Sequence, residues 1–129
     1  MELSKTKKLL LDLRRATQRL EEALEAEPTQ LHQDATIQRF EFTFELAWKL
    51  MRVMILDKGI EVFGPKNVIR RAAQVELIND PETWIEFLKA RNLTTHVYDQ
   101  PVAEEIYNQA KKFPEVVREL IERAEKEIE

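Results

Sequence analysis

The sequence predicts an all-α protein, an up-and-down bundle of five or six helices, and three observations carry that expectation. Glycine fills only 2 of 129 positions, against a usual share of about 7%. Apolar residues recur three and four positions apart in segment after segment, the period of a helix face. No segment shows the apolar and polar alternation of a half-buried strand. With 43% hydrophobic and 34% charged residues, the chain carries enough apolar side chain for a core and too much for a disordered polar segment. At this length a single domain over residues 1–129 is expected.

The first helix is expected from about Ser4 to Glu25, where Leu10, Leu13, Thr17, Leu20 and Leu24 fall on one face and Ser4 can cap. Glu27-Pro28-Thr29 breaks it. A second, longer helix is expected from about Thr29 to Lys58, with Gly59 as its stop. At 100° per residue it places Ile37, Phe40, Phe44, Ala47, Trp48, Met51 and Ile55 on one broad face, with Phe42, Leu46, Leu50 and Val53 around most of the rest. Only Glu41, Glu45, Lys49 and Arg52 form a polar stripe. Such a helix is central to the bundle or lies at a subunit interface, and a homodimer or higher homo-oligomer is the expectation.

Pro65 opens a short third helix through Val68, Ile69, Ala72 and Leu77. Asp80 as N-cap before Pro81 then starts a helix carrying Trp84, Ile85 and Leu88 and continuing through Arg91 to Tyr98. Pro101 bounds it. A further helix is expected over about Val102 to Lys112, and Pro114 is expected to start the last one, with Val117, Leu120, Ile121 and Ala124 inward and a charged, solvated tail from Glu122 to Glu129.

Composition also excludes. Without cysteine there is no disulfide framework, thiolate zinc site or cysteine nucleophile, and a reducing cytoplasm fits best. No run of about 18 apolar residues or signal-peptide core occurs, so no membrane partner is expected. A net charge of -4 and a pI near 5.4 argue against coating nucleic acid by bulk charge. Any RNA or nucleotide contact must be local. No glycine-rich phosphate loop and no Ser/His/Asp grouping is present.

Two histidines remain. His32, among Gln30, Gln33 and Asp34 at a helix start, reads as a helix-terminus residue. His96 lies in Arg91-Asn92-Leu93-Thr94-Thr95-His96-Val97-Tyr98, a cluster of donors and acceptors inside an apolar pattern. If the helix continues through it, Asn92 and His96 share a face and Arg91, Thr95 and Tyr98 line the adjacent stripe, so all five can border one pocket. Histidine moves protons near neutrality and arginine offers a fork of donors to phosphate oxygens, which suits phosphodiester chemistry. A structural reading stays open beside it, with His96 bonded to a neighbouring helix and Arg91 paired with Glu86 or Asp99. Glu41 and Glu45 are spaced for a metal, but no histidine lies one turn away and Lys49 and Arg52 sit beside them, so no metal is expected. Lys66, Arg70 and Arg71 behind Pro65 can hold a phosphate or form a solvated face.

Phe40-Glu41-Phe42-Thr43-Phe44-Glu45-Leu46-Ala47-Trp48-Lys49, then Gly64-Pro65-Lys66 leading into Ile69-Arg70, then Trp84 and Arg91-Asn92-x3-His96-x-Tyr98-Asp99, resemble the nucleotidyltransferase substrate-binding proteins. These are a branch of the HEPN superfamily of prokaryotic helical domains. The resemblance covers most of the chain, in order and at matching spacing. It implies a HEPN-like bundle that dimerises and is encoded beside a minimal nucleotidyltransferase. Many HEPN relatives are metal-independent ribonucleases of toxin-antitoxin pairs. Their Arg-x4-6-His motif forms the active site in a cleft at the dimer interface, and Arg91 and His96 match it, with Asn92 as the polar residue after the arginine. In the toxin branch a tyrosine two places after the histidine is nucleotidylylated by the partner, which silences the ribonuclease, and Tyr98 holds that position. The catalytic candidates are therefore Arg91, Asn92 and His96, the modification candidate is Tyr98, and Thr95, Lys66 and Arg70 are binding candidates. RNA or a nucleotide is the expected ligand, and no cofactor is expected. The alternative is a non-catalytic accessory subunit of the nucleotidyltransferase.

Overall fold

A computed structural model describes residues 2–128; Glu129, the last residue of the expected tail, lies outside them. Five α-helices and one short 3₁₀ turn follow one another, with no strand among the described residues: α1 (Glu2–Glu25), α2 (Gln30–Asp57), α3 (Pro65–Gln74), α4 (Pro81–Asn92), the turn Thr94–His96, and α5 (Gln100–Ile128). No helix among them is long and apolar enough to cross a membrane.

Helix α1 buries the stripe Leu10, Leu13, Ala16, Thr17 and Leu20. It begins at Glu2, so Ser4 lies inside it and is not its cap. Helix α2 starts at the N-cap Thr29, whose hydroxyl accepts from the His32 amide at 3.2 Å. His32 Nδ1 lies 2.6 Å from the Glu27 carbonyl, a helix-terminus role as expected. At the other end Gly59 adopts φ +83°, a left-handed stop that glycine reaches without strain.

Helix α2 touches α1, α3, α4 and α5. That central position accounts for its wide apolar arc within one chain, because Ile37, Phe40, Phe44, Leu50, Met51 and Ile55 are all buried by intrachain neighbours. Five rings meet at the heart of the bundle. Phe113 of α5 packs against Phe40, Phe44, Trp84 and Phe87, with centroids 5.2, 6.0, 5.5 and 4.8 Å away. Most of these contacts are edge-on, the favoured arrangement for aromatic quadrupoles. This cluster fixes α4 across α2, and so decides where the end of α4 falls.

The expected break at Pro114 does not occur. Helix α5 runs through it from Gln100 to Ile128 and absorbs the two helices and the charged tail expected there. A proline inside a helix loses one amide bond and costs about 3 kcal/mol. Here Ala110, Phe113, Pro114 and Val117 are buried together, and burial on both sides of the proline holds the helix continuous. Ala124 is buried as expected, but the tail is more engaged than expected, since Glu125 pairs with Arg14 and Glu127 accepts from Lys58 Nζ at 2.9 Å.

Asp80 caps α4 as the sequence suggests. Its carboxylate accepts from the Glu82 and Thr83 amides at 3.1 and 3.3 Å and from the Thr83 hydroxyl at 2.7 Å. Those bonds, led by the Thr83 hydroxyl, hold the Asp80 carboxyl below the ordinary carboxylate range. The loop before it is tied to α5 through Arg123, which donates to the Glu76 carbonyl at 3.1 Å and to Asn79 Oδ1 at 2.5 Å.

Candidate functional site

The stretch expected to be one helix from Arg91 to Tyr98 is two pieces. Helix α4 ends at Asn92, and Thr94–His96 form a separate 3₁₀ turn. The Thr94 hydroxyl explains the break: it lies 2.8 Å from the Arg91 carbonyl and shares its proton with Glu41 Oε2 at 3.0 Å, an interaction that competes with helix continuation. The helical stripes drawn through residues 91, 95 and 98 therefore do not exist. The turn brings its side chains together in another way.

An open cleft of about 460 Å³ lies between α2 and the end of α4. Gln38, Glu41, Phe42 and Glu45 form one wall, and Arg91, Asn92, Thr94 and Thr95 form the other. Arg91 is half-buried and pairs through Nη2 with Glu45 Oε1, while its Nη1 donates to Asn92 Oδ1 at 3.1 Å. Glu45 is itself held from behind, because Trp48 Nε1 donates to its Oε2 at 3.2 Å. The guanidinium is thus aimed along the cleft wall by a carboxylate that an indole fixes.

Of the residues singled out in the sequence, Arg91, Asn92 and Thr95 border this cleft. His96 and Tyr98 stand beside it on the following turn, both exposed. They contact each other, with His96 Nδ1 3.1 Å from Tyr98 Oη and the rings at 70° with centroids 5.8 Å apart. Tyr98 is 82% exposed. Among the described residues no hydrogen bond or ion pair joins Arg91 to His96. Lys66 and Arg70 are on α3, and Arg70 lines a different cleft with Phe63, Asn67 and Arg71.

The sequence offers Glu86 or Asp99 as partners for Arg91; the partner is Glu45. Glu41 and Glu45, which the sequence presents as part of a polar stripe and as a metal-type spacing, engage Thr94 and Arg91. Their signal in the sequence is weak: two carboxylates one turn apart on the polar stripe of α2, beside Lys49 and Arg52, do not by themselves show which element they meet.

Beyond the cleft, a groove of about 820 Å³ between α1 and α2 has Ala16, Phe42 and Leu46 among its lining and charged Asp12, Arg15, Arg19 and Glu22 around them. Phe42 and Glu45 border both hollows, so the two are continuous.

Comparison with known proteins agrees with this architecture. A probable ribonuclease HepT of Haemophilus influenzae is 35% identical over 82 residues, which cover 60% of this chain and a little over half, 56%, of that protein. A crystal structure of a Thermus thermophilus protein superposes with a TM-score of 0.76 at 30% identity, covering 92% of this chain and 98% of that one. A second Haemophilus influenzae structure, described as revealing the fold of a substrate binding domain of a nucleotidyltransferase, superposes with a TM-score of 0.69 at 26% identity, covering 95% and 98%. Residues 8–126 match the family described as nucleotidyltransferase substrate binding protein like. With the helical order, the cleft and this match taken together, the chain belongs to the nucleotidyltransferase substrate binding protein family.

Proposed function

We propose that this chain is a metal-independent endoribonuclease that works beside a minimal nucleotidyltransferase, with residues 1–129 forming one HEPN-like domain in the cytoplasm. The observation that carries the reading is the placement of exposed His96, its Nδ1 held by Tyr98, on the turn next to the cleft where Arg91 and Asn92 sit. The Haemophilus relative named as a probable ribonuclease supports it.

In this reading Nε2 of His96, the ring nitrogen left free by Tyr98, removes the proton of a ribose 2'-hydroxyl. The oxygen attacks the adjacent phosphorus, the bond to the 5'-oxygen of the next nucleotide breaks, and that oxygen takes up a proton from water while His96 returns its own to solvent, giving a 2',3'-cyclic phosphate and a free 5'-hydroxyl. Arg91 stabilises the phosphoryl oxygens as charge builds, and Asn92, already bonded to Arg91, orients it. Arg91 must swing from Glu45 toward the phosphate. A second copy of the chain, docked on the groove lined by Phe42 and Leu46 that joins the cleft at Phe42, brings the two separated halves of the site together. Nucleotidylylation of Tyr98 replaces the hydroxyl that holds His96 with a bulky phosphodiester and silences the site.

One observation favours a second reading, a non-catalytic accessory subunit: Arg91 is neutralised by Glu45 and so presents little free charge to a phosphate. The purified chain incubated with single-stranded RNA and a chelator separates the two. Cleavage that falls about 10²- to 10⁴-fold in His96→Ala, and falls in Arg91→Ala, with circular dichroism unchanged, supports the ribonuclease. No cleavage by the natural chain, with retained binding to the nucleotidyltransferase, supports the accessory role.

A further inference from the structure

The loop from α2 to α3 puts a large aromatic side chain into solvent. Phe63 is 69% exposed, while the neighbouring Val62 is buried. Two local features hold this arrangement. Gly64 takes φ +81°, a conformation that strains other residues, and Asn67 Nδ2 donates to the Phe63 carbonyl at 3.1 Å. The ring is thus displayed by a pinned turn.

Beside it stand cations with no ion pair among the described residues. Arg70 and Arg71 line an open cleft of about 310 Å³ with Glu61, Phe63, Asn67 and Gln74. Lys66, one turn before Arg70, is exposed on the same helix. Other cations, such as Lys8, Arg14, Lys58, Lys89, Arg91 and Arg118, meet carboxylates; what distinguishes Lys66, Arg70 and Arg71 is that they stand on one short helix beside an exposed aromatic ring. In an acidic chain, Arg70 and Arg71 sharing that cleft with one carboxylate, Glu61, and Lys66 exposed on the same helix make a local positive field. Lys66 and Arg70 are separated by about 6 Å along the helix, the order of one nucleotide step.

We propose that Phe63, Lys66, Arg70 and Arg71 form a docking shelf for single-stranded RNA, in which a base stacks on Phe63 and successive phosphates lie on the three cations. An exposed aromatic ring beside a cationic track is the arrangement that holds single strands without reading their sequence. The openness of the cleft suits a strand that passes across it more than an enclosed mononucleotide. The proposal rests on the ribonuclease reading for its choice of ligand and places the grip on RNA apart from the cutting residues.

The test uses the full chain carrying His96→Ala, so that RNA is held and not cut, with a fluorescent 12-nucleotide oligouridylate measured by anisotropy. Phe63→Ala is expected to weaken binding about 5- to 100-fold, the range for loss of one stacked base. Arg70→Ala with Arg71→Ala is expected to lower the slope of log affinity against log salt by about 1.4, two phosphate contacts at about 0.7 each. Phe63→Trp should retain affinity and show fluorescence quenching on RNA addition, which a fold defect cannot mimic. Unchanged affinity in Phe63→Ala, or no binding by the parent, overturns the shelf. So does loss of nucleotidyltransferase binding in Phe63→Ala with RNA binding intact, since the surface then belongs to a protein partner. If the natural chain fails to cut RNA but Phe63→Ala still loses it, the shelf stands and the ribonuclease reading falls.

Discussion

Glu45, midway along α2, forms an ion pair with Arg91 at the end of α4, and each side chain keeps somewhat over a quarter of its surface in solvent. The pair lies between the exposed regime, where ion pairs contribute almost nothing, and the dry interior, where losing one partner is severe. A double-mutant cycle on Glu45→Gln and Arg91→Ala, read by urea unfolding, is expected to give a coupling of about 1 kcal/mol. Strict additivity would mean that the two charges do not meet in solution.

Thr94 joins the two walls of the cleft through one hydroxyl. Thr94→Val keeps the shape and removes the proton, and is expected to cost about 1 kcal/mol of stability. Thr94→Ser should recover most of it. Equal stability of all three would show that the hydroxyl does not hold the turn.

Tyr98 is too exposed to matter for folding. Tyr98→Phe should change stability by less than about 0.5 kcal/mol. Under the proposed function it should also abolish the nucleotide mass that the neighbouring nucleotidyltransferase adds from ATP. A peptide map with the added mass on another residue would rule out Tyr98 as the acceptor.

Phe113 is the ring on which four others converge. Phe113→Ala leaves a cavity at that convergence and is expected to cost about 3 to 5 kcal/mol. A loss below about 1 kcal/mol would contradict its central place in the core.

Asp80 carries a pH signature. Its carboxyl titrates below the ordinary aspartate value because the charged form accepts bonds from Thr83 and Glu82. The stability this contributes is complete above about pH 4, the unfolded value, and is lost as pH falls through the depressed folded value. The melting temperature of Asp80→Ala should therefore lie below that of the natural chain at neutral pH, with the gap closing in strong acid. A gap that persists unchanged into strong acid would mean that the charge plays no part in the cap.

Local signals in the sequence are reliable where a short-range interaction decides the outcome. The Thr29 and Asp80 starts, the Gly59 stop and the inward stripe of α1 all depend on neighbours within one turn. Two elements are not legible. Pro114 is a local breaker overruled by Phe113 and Val117 burying the helix on either side, and no local rule sees that burial. The end of α4 at Asn92 depends on Thr94 reaching Glu41, a residue far away in the chain. The site shows the same division. Arg91, Asn92 and Thr95 stand out because they cluster in sequence, while Glu41 and Glu45 enter the cleft only once α4 is laid across α2.

The pairing of α1 with α5, through Arg118 with Glu21 and Arg14 with Glu125, bears on the order of folding. Arg118 and Glu21 are 97 residues apart, and closing a loop of that size costs about 4 kcal/mol in chain entropy before any contact repays it. The hairpins of α1 with α2 and of α3 with α4 close over short connections and bear little of that cost. The C-terminal half of α5 should then join last and open first, so amides near Arg118 to Glu125 exchange with deuterium sooner than those from Phe40 to Met51. Both walls of the cleft belong to the early part, and the cleft stays assembled through such openings.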